Sequence, residues 1–259
     1  MNATQDLKHD HIIVRRLRNI IERCSDKLYA NKDIPLEDIE IISVVIEELV
    51  DRFHHGKEEH AYFPETRDKN GFAEDIRKFL IEHEFGRRIA IMLRRELSVW
   101  KQNKHKKKEA KNETEGVEII ELENEDTKIK EPVARFLESY AVFITDHTGK
   151  EDKFFDLIEE KGSISIKEDQ MLLQHYEVCK NQIGGKDRLE QMIRLIEYLE
   201  DRHWMKINES KNIVYLLLNQ NSVKSCQYPF LSQLSGTYIM FYTIAQKLHA
   251  FLLINNSKL

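Results

Sequence analysis

The stretch FHHGKEEHAYFP, residues 53–64, decides the fold, because one helix-like segment combines three histidines and two glutamates around a glycine. A second stretch, DHTGKED at residues 146–152, repeats the order His-x-Gly-Lys-Glu-acid. Two shorter segments, DHIIVRR at 10–16 and EHEFGRR at 82–88, share the order acid-His-x-x-x-Arg-Arg. The sequence therefore contains two similar halves. In each half one helix carries a lone histidine and the next carries His-x-x-x-Glu.

Apolar residues recur at helical spacing around all four motifs. The spacing predicts helices over residues 6–28 and 36–63, a third from Ala73 onward and a fourth after Pro132. The chain has only 9 glycines and 4 prolines among 259 residues, a composition typical of helical proteins. We therefore predict an all-α fold, an up-down-up-down four-helix bundle with additional C-terminal helices.

Changes in composition predict the domain organisation. The bundle is expected to occupy residues 1–162, with a charged insertion at 103–130 that is basic first and then acidic. Flanking helices are expected over residues 163–205. The remaining segment, 206–259, has no Asp or Glu after Glu209, and its pattern indicates no role.

Several classes of function are disfavoured by the composition. A net charge of -5 gives no basic face for nucleic acid. The longest uncharged run is too polar for a membrane span. The first residues lack the apolar core of a signal peptide, and the three cysteines form no CxxC pair, so we expect a cytoplasmic protein. Because no nucleophile triad or phosphate loop is present, a binding or sensing protein is favoured over a conventional enzyme.

The two halves together predict a cluster of six buried polar residues. His54 shares a helical stripe with Val50 and Ile46, whereas His55 follows Asp51 on a polar stripe and is predicted to face away from the core. The same argument from helical phase selects one histidine or one His/Glu pair from each of the other three helices. The six residues predicted to converge are His11, His54, Glu58, His83, His147 and Glu151.

Metal binding explains this set better than ordinary packing. A single histidine on an apolar stripe is usually a hydrogen-bonded core residue, and a His-x-x-x-Glu pair is often a surface interaction. Neither explanation accounts for four histidines and two carboxylates in one buried phase, since unpaired buried carboxylates are costly. Imidazole and carboxylate ligands suit iron, manganese or zinc. Two carboxylates are enough to bridge a pair of ions.

These motifs resemble those of the hemerythrin-like family, also called HHE cation-binding domains, over roughly residues 6–160. The resemblance implies a four-helix bundle with a non-heme di-iron centre, two iron ions that react with oxygen, nitric oxide or peroxide. It also implies that the six residues named above are the metal ligands. The partner expected from the resemblance is a small diatomic or redox ligand, and the sequence identifies no protein partner.

One position departs from the oxygen-carrying members of that family. They have a further histidine four positions beyond the one matched by His83, and this chain has Arg87 there. The departure disfavours simple reversible oxygen carriage. We expect a di-iron protein that binds or senses oxygen, nitric oxide or a related redox ligand. The alternative is iron donation, repair of iron-sulfur centres, or peroxide and nitric oxide chemistry.

The repeated arginines and glycines raise two further questions. Arg15 and Arg87 follow the lone histidines by one turn, and they either pair with acidic residues of the site or its neighbours Glu59 and Asp152, or face solvent. Glycine inside a helix costs roughly 1 kcal/mol relative to alanine. The repetition of Gly56 and Gly149 therefore suggests a steric reason such as close approach of a neighbouring helix, and the same reason is considered for Gly86.

Overall fold

The structure is a computed structural model that describes residues 1–113 and 119–206, and the side chains of residues 1–104 and 128–206. Within these ranges it contains helices and no strand, which confirms the all-α prediction. The alternating direction of the bundle helices stays a prediction. The regular helices are α1 (Ala3–Tyr29), α3 (Ala73–Glu113), α4 (Ile119–Glu160), α5 (Ile166–Gln182) and α6 (Gly185–Glu200). A 3-10 turn, His203–Met205, follows α6.

The second helical element, which we call α2 (residues 36–66), changes its winding along its length. It begins as an α-helix at Leu36–Val45, continues as a π-helix at Ile46–His55 and again at Glu58–Tyr62, and ends as an α-helical turn at Phe63–Thr66. Because π-helical hydrogen bonds join residues i and i+5, each turn contains more residues than an α-helical turn. Two adjacent residues of such a helix can therefore both face the core.

The long helices α3 and α4 extend further than the sequence predicts. Most of the predicted charged insertion is helical, because α3 continues to Glu113 and α4 begins at Ile119. The predicted start of the fourth helix after Pro132 is wrong, since Pro132 lies inside α4. Proline lacks the N–H that an interior helical residue donates, and for that reason sequence rules place a helix start there. The C-terminal segment predicted over 206–259 lies outside the described residues from residue 207 onward.

Two apolar clusters fill the interior, one on each side of a polar layer. Along α1, Leu7 belongs to one cluster and Val14 to the other, and His11 lies between them. The same order recurs along α3 around His83, and the reverse order is found along α4 around His147. The polar layer is therefore enclosed by hydrocarbon from both directions along the bundle.

Helices α5 and α6 are attached to α1 and α2 by polar contacts. Arg188 of α6 forms a bidentate ion pair with Glu48, with both distances 2.6 Å. The buried carboxylate of Asp38 accepts hydrogen bonds from Arg202 Nε and Trp204 Nε1, both at 2.7 Å. These charge-assisted bonds fix the end of the described chain against the start of α2.

No helix in the described ranges is sufficiently long and apolar to cross a membrane. The longest uncharged run of the sequence, between Lys224 and Lys247, lies outside the described residues.

The three glycines of the motifs differ in their surroundings. A Cβ atom at Gly86 would lie 2.4 Å from the ring of Phe143, so the steric reason proposed for this glycine is confirmed. At Gly149 nothing lies within 4 Å, and at Gly56 the nearest atom is His60 Nδ1 at 3.8 Å, an ordinary contact. Close approach of a neighbouring helix is therefore the wrong explanation for the repeated pair.

Candidate metal centre

The structure brings all six predicted site residues together in the polar layer. Each is at most 1% exposed. The residues come from α1 (His11), α2 (His54 and Glu58), α3 (His83) and α4 (His147 and Glu151). The helix faces predicted from the sequence therefore bring all six side chains into one buried layer.

Glu58 lies between two histidines from different helices. Its Oε1 is 3.6 Å from His54 Nε2, and its Oε2 is 3.5 Å from His83 Nε2. Burial is the main cause that raises the pKa of Glu58 well above its usual value, and the nearby Asp10 carboxylate adds to it. The carboxylate of Glu58 therefore presents one oxygen to His54 and the other to His83.

Glu151 occupies the corresponding position on the opposite helix. Its Oε2 lies 3.2 Å from His147 Nε2 and 3.4 Å from His11 Nε2, and its Oε1 lies 3.4 Å from His83 Nε2. Burial raises its pKa well above the usual value, with the charge of Glu58 as the next cause. Two buried carboxylates therefore lie close together, and no positively charged side chain of the described residues lies between them.

The inward-facing atoms of this cluster have no hydrogen-bond partner among the described residues. They are all four carboxylate oxygens of Glu58 and Glu151 and the Nε2 atoms of the four predicted histidines. Buried polar atoms are normally paired, so such a set is exceptional. A cation is the partner that satisfies carboxylate oxygens and neutral imidazole nitrogens together. The residues present therefore fit a metal site.

Each of the four histidines turns its other nitrogen, Nδ1, toward a carboxylate on the neighbouring helix. The pairs are His54 with Asp10 (3.3 Å), His83 with Glu59 (2.7 Å), His147 with Glu82 (2.9 Å) and His11 with Asp152 (2.7 Å). Such outer carboxylates fix the tautomer and the direction of a metal-binding imidazole. Each helix in turn orients the histidine of the next, and α4 orients that of α1, so the four pairs form a closed ring. We call this set the carboxylate ring.

Each of the four carboxylates in the carboxylate ring forms an ion pair with a lysine or an arginine. The pairs are Lys57 with Asp10 (2.5 Å), Arg87 with Glu59 (2.6 Å), Lys150 with Glu82 (2.7 Å) and Arg15 with Asp152. Of the alternatives left open by the sequence, pairing of Arg15 and Arg87 with the acidic neighbours is confirmed. The repeated acids, lysines and arginines of the motifs therefore serve one arrangement around the histidines.

His55 is the site residue that the sequence argument missed. It is 2% exposed, so the prediction that it faces away from the core is wrong. The π-helical winding of α2 is the reason, because it turns two successive histidines inward. The ring of His55 stacks on His83 with centroids 3.9 Å apart, and neither of its nitrogens has a hydrogen-bond partner in the described part of the chain. The only hint in the sequence was the adjacent histidine pair itself.

With His55 included, the polar layer divides into two groups of possible ligands. In each group the ligand atoms lie within 4.8 Å of one another. One group is His55, His83 and His147, and the other is His11, His54, Glu58 and Glu151. The position equivalent to His55 in the second half is Thr148, whose Oγ1 donates to the Ile144 carbonyl at 2.8 Å. The two halves therefore differ at this point. His55 of the first half adds a third histidine to the group that contains His83 and His147, whereas the other group has two histidines.

Comparison with known protein families gives an independent assignment. The family model described as the hemerythrin HHE cation-binding domain matches residues 2–158, more than half of the chain. The chain belongs to this family. Comparisons with curated proteins and with solved structures gave no match. The match to the hemerythrin HHE model includes all six predicted ligands and His55, and it ends before α5.

A helix beyond the matched range covers one cation of this hemerythrin HHE domain. Lys57 Nζ lies 4.8 Å from the ring centroid of Tyr176 on α5 and 4.6 Å from that of Phe53. Tyr176 is buried, and its hydroxyl has no hydrogen-bond partner among the described residues. By covering Lys57, α5 keeps water from the ion pair between Lys57 and Asp10, which strengthens that pair.

Proposed function

We propose that this centre holds two iron ions and binds or senses oxygen, nitric oxide or a related redox ligand. In this proposal His11 and His54 hold one ion, and His83 and His147, joined by His55, hold the other. Glu58 and Glu151 lie between the two sets of histidines and present oxygens to both. Iron suits such mixed imidazole and carboxylate ligands, and when bound it supplies redox chemistry and a place for a small ligand.

The observation that carries the proposal is the pair of buried carboxylates. Glu58 and Glu151 are each 0% exposed, and their four oxygens have no hydrogen-bond partner among the described residues. One divalent ion would leave much of this negative charge and several imidazole nitrogens without a partner. Two ions provide partners for both carboxylates and for the histidines on either side.

The protein residues orient the metal-binding imidazoles and exclude bulky substrates from the centre. The carboxylate ring holds each imidazole with Nε2 inward, and burial lowers the pKa of His54, His83 and His147, so that the rings stay neutral and can bind metal. The two apolar clusters exclude bulky substrates from either end. The arrangement therefore favours small ligands.

Metal analysis of protein purified without oxygen tests the proposal. We expect about two iron ions per chain. Exposure of the reduced protein to oxygen or to nitric oxide should change its optical spectrum rapidly. Reconstitution with manganese and with zinc gives matched controls for the metal, since zinc undergoes no redox change. A content near one ion, or an iron-loaded spectrum that neither gas alters, would contradict the proposal.

Iron donation is less well supported than retention. Release of iron would again leave Glu58 and Glu151 buried without partners, at a cost in free energy. The outer cations, among them Lys57 and Arg87, form ion pairs with the carboxylate ring. That carboxylate ring directs the histidines inward. Transfer of iron to an excess of a chelator should therefore be slow, and complete transfer within minutes would favour the donation alternative.

A further inference from the structure

A small pocket lies between α2 and α3 beside the centre. Its volume is about 100 Å³. The buried residues His55, Ala90 and Tyr140 form its inner part, and Ile91, which is 55% exposed, and Arg94 lie at its outer part. The pocket therefore extends from the surface to the histidine that distinguishes the two halves.

The pocket is balanced in charge. Its two acidic residues are paired with its two arginines: Arg87 Nε donates to Asp51 at 2.7 Å, and Arg94 Nη1 donates to Glu47 at 3.0 Å. Because the carboxylates are neutralised, a neutral molecule or a small anion can enter without strong repulsion.

His55 forms the inner wall of the pocket. Its Nδ1 is 3.6 Å from Asp51 Oδ1, too far for a hydrogen bond, and both ring nitrogens are buried without a partner among the described side chains and backbone. A molecule in the pocket therefore packs against the ring of His55 and does not contact its nitrogens.

The size of the pocket limits what it can hold. A cavity of about 150 Å³ accepts a molecule as large as benzene, so a space of this volume accepts only molecules of a few heavy atoms. The stacking of His55 on His83 places the inner end of the pocket one aromatic ring from the centre.

We propose that this pocket is where a neutral molecule or small anion of a few heavy atoms enters and is held, against the ring of His55, before it reaches the centre. The inference rests on the proposed function, because it assigns the route of the ligand that the centre binds. It adds a binding site outside the six predicted ligands.

Azide, an anion of three heavy atoms, is a suitable probe. We would measure its association with the oxidised, iron-loaded protein by stopped-flow absorbance. Ala90→Leu adds three carbons inside the pocket and should slow association by about tenfold or more. Ala73→Leu is the matched control, the same change at an exposed position of the same helix, and should leave the rate unchanged. Ile91→Ala widens the outer part and should raise the rate.

A second variant and a metal-free measurement keep the test independent of folding and of iron. If Ala90→Leu loses metal, Ile91→Trp narrows the pocket from its exposed outer part and should slow azide in the same way. In metal-free protein under xenon, the methyl resonances of Ile46 and Ala90, which line the pocket, should shift in the wild type, and those of Ile46 should not shift in Ala90→Leu.

The outcomes separate this inference from the proposed function. Equal azide rates in the wild type and in a fully metal-loaded Ala90→Leu or Ile91→Trp variant would overturn the pocket as the route. Absent xenon shifts in the metal-free wild type would also overturn it. A wild type that holds no iron, or whose spectrum azide leaves unchanged, would contradict the proposed function instead, and the xenon shifts would still decide the pocket.

Discussion

Among single residues, His55 has the greatest effect on how the centre is understood. Without it each half would supply two histidines, and with it the group around His83 and His147 has three. The sequence departure at Arg87 removes one candidate ligand, and His55 brings an imidazole to the same group from another helix. Arg87 instead holds Glu59, which orients His83.

Replacement of His55 tests its place in that group. We expect His55→Ala to lose the ion held by His83 and His147 first, so that metal content falls from about two ions toward about one. His60→Ala is the control, because His60 is exposed and close in sequence, and its metal content should stay normal. Normal metal content in His55→Ala would show that His55 only lines the pocket.

The arginines after the lone histidines permit a second test. Arg87→Ala removes the cation from Glu59 and should weaken metal binding by about 10–100-fold, as losses of such outer partners do. Arg88→Ala is the matched control, since Arg88 is 74% exposed and, among the described residues, pairs with Glu84 on its own helix. Metal affinities would be measured by competition with a chelator. Equal affinities in the two variants would show that the outer cation does not support His83.

The buried carboxylates predict a pH dependence for the metal-free protein. The pKa of Glu58 is raised on folding, so the folded state binds more protons than the unfolded state above the usual glutamate pKa. Its contribution to stability is fully present below that value and is lost as the pH rises toward the folded-state pKa. Glu58→Gln removes this loss, so the melting temperature of the variant should exceed that of the wild type increasingly from about pH 5 to about pH 8. A constant difference across this range would mean that Glu58 titrates normally.

At the level of the helices, sequence reasoning succeeded where the winding is regular. His11, His83 and His147 lie on α-helices, and the 3.6-residue period selected their faces correctly. It failed at His55, because no residue pattern in α2 signals π-helical hydrogen bonding. It also failed at Pro132, because proline usually marks the start of a helix and α4 instead continues through this residue.

The outer carboxylates were only half predictable. The sequence showed that Glu59 and Asp152 adjoin the ligands, but the pairing with His83 and His11 depends on how the helices are rotated against one another. The pocket beside His55 likewise depends on side chains from α2, α3 and α4 together. Such features arise from tertiary packing, which a period within one helix does not contain.

Two glycines of the repeated motifs should respond oppositely to the same substitution. Gly149→Ala meets nothing within 4 Å and should raise the free energy of unfolding by about 1 kcal/mol, through helix propensity alone. Gly86→Ala places a Cβ 2.4 Å from Phe143 and should lower it, because the ring must move within a packed core. Urea denaturation of both variants measures the difference. Stabilisation by Gly86→Ala would show that Phe143 has room to rotate away.

At the scale of the whole molecule, the ends of α3 and α4 extend far from the centre. The 20 residues between His83 and Lys104 correspond to about 30 Å of α-helix. Replacing residues 105–127 with a short glycine-rich turn should therefore leave metal content and melting temperature near wild-type values. The change retains Lys130, which is buried and pairs with Asp33. Loss of metal after this deletion would show that the distal parts of the helices support the centre.

The carboxylate ring has a consequence for the order of events during synthesis. Its last pair joins Asp152 of α4 to His11 of α1, so the histidine of the first bundle helix is oriented by the bundle helix that is synthesised last. A nascent chain that has produced only α1 and α2 has the histidines of one half but lacks Asp152, Glu151 and the third helix. The complete site therefore requires all four bundle helices, and a chain that stops before α4 lacks both Glu151 and the carboxylate that orients His11.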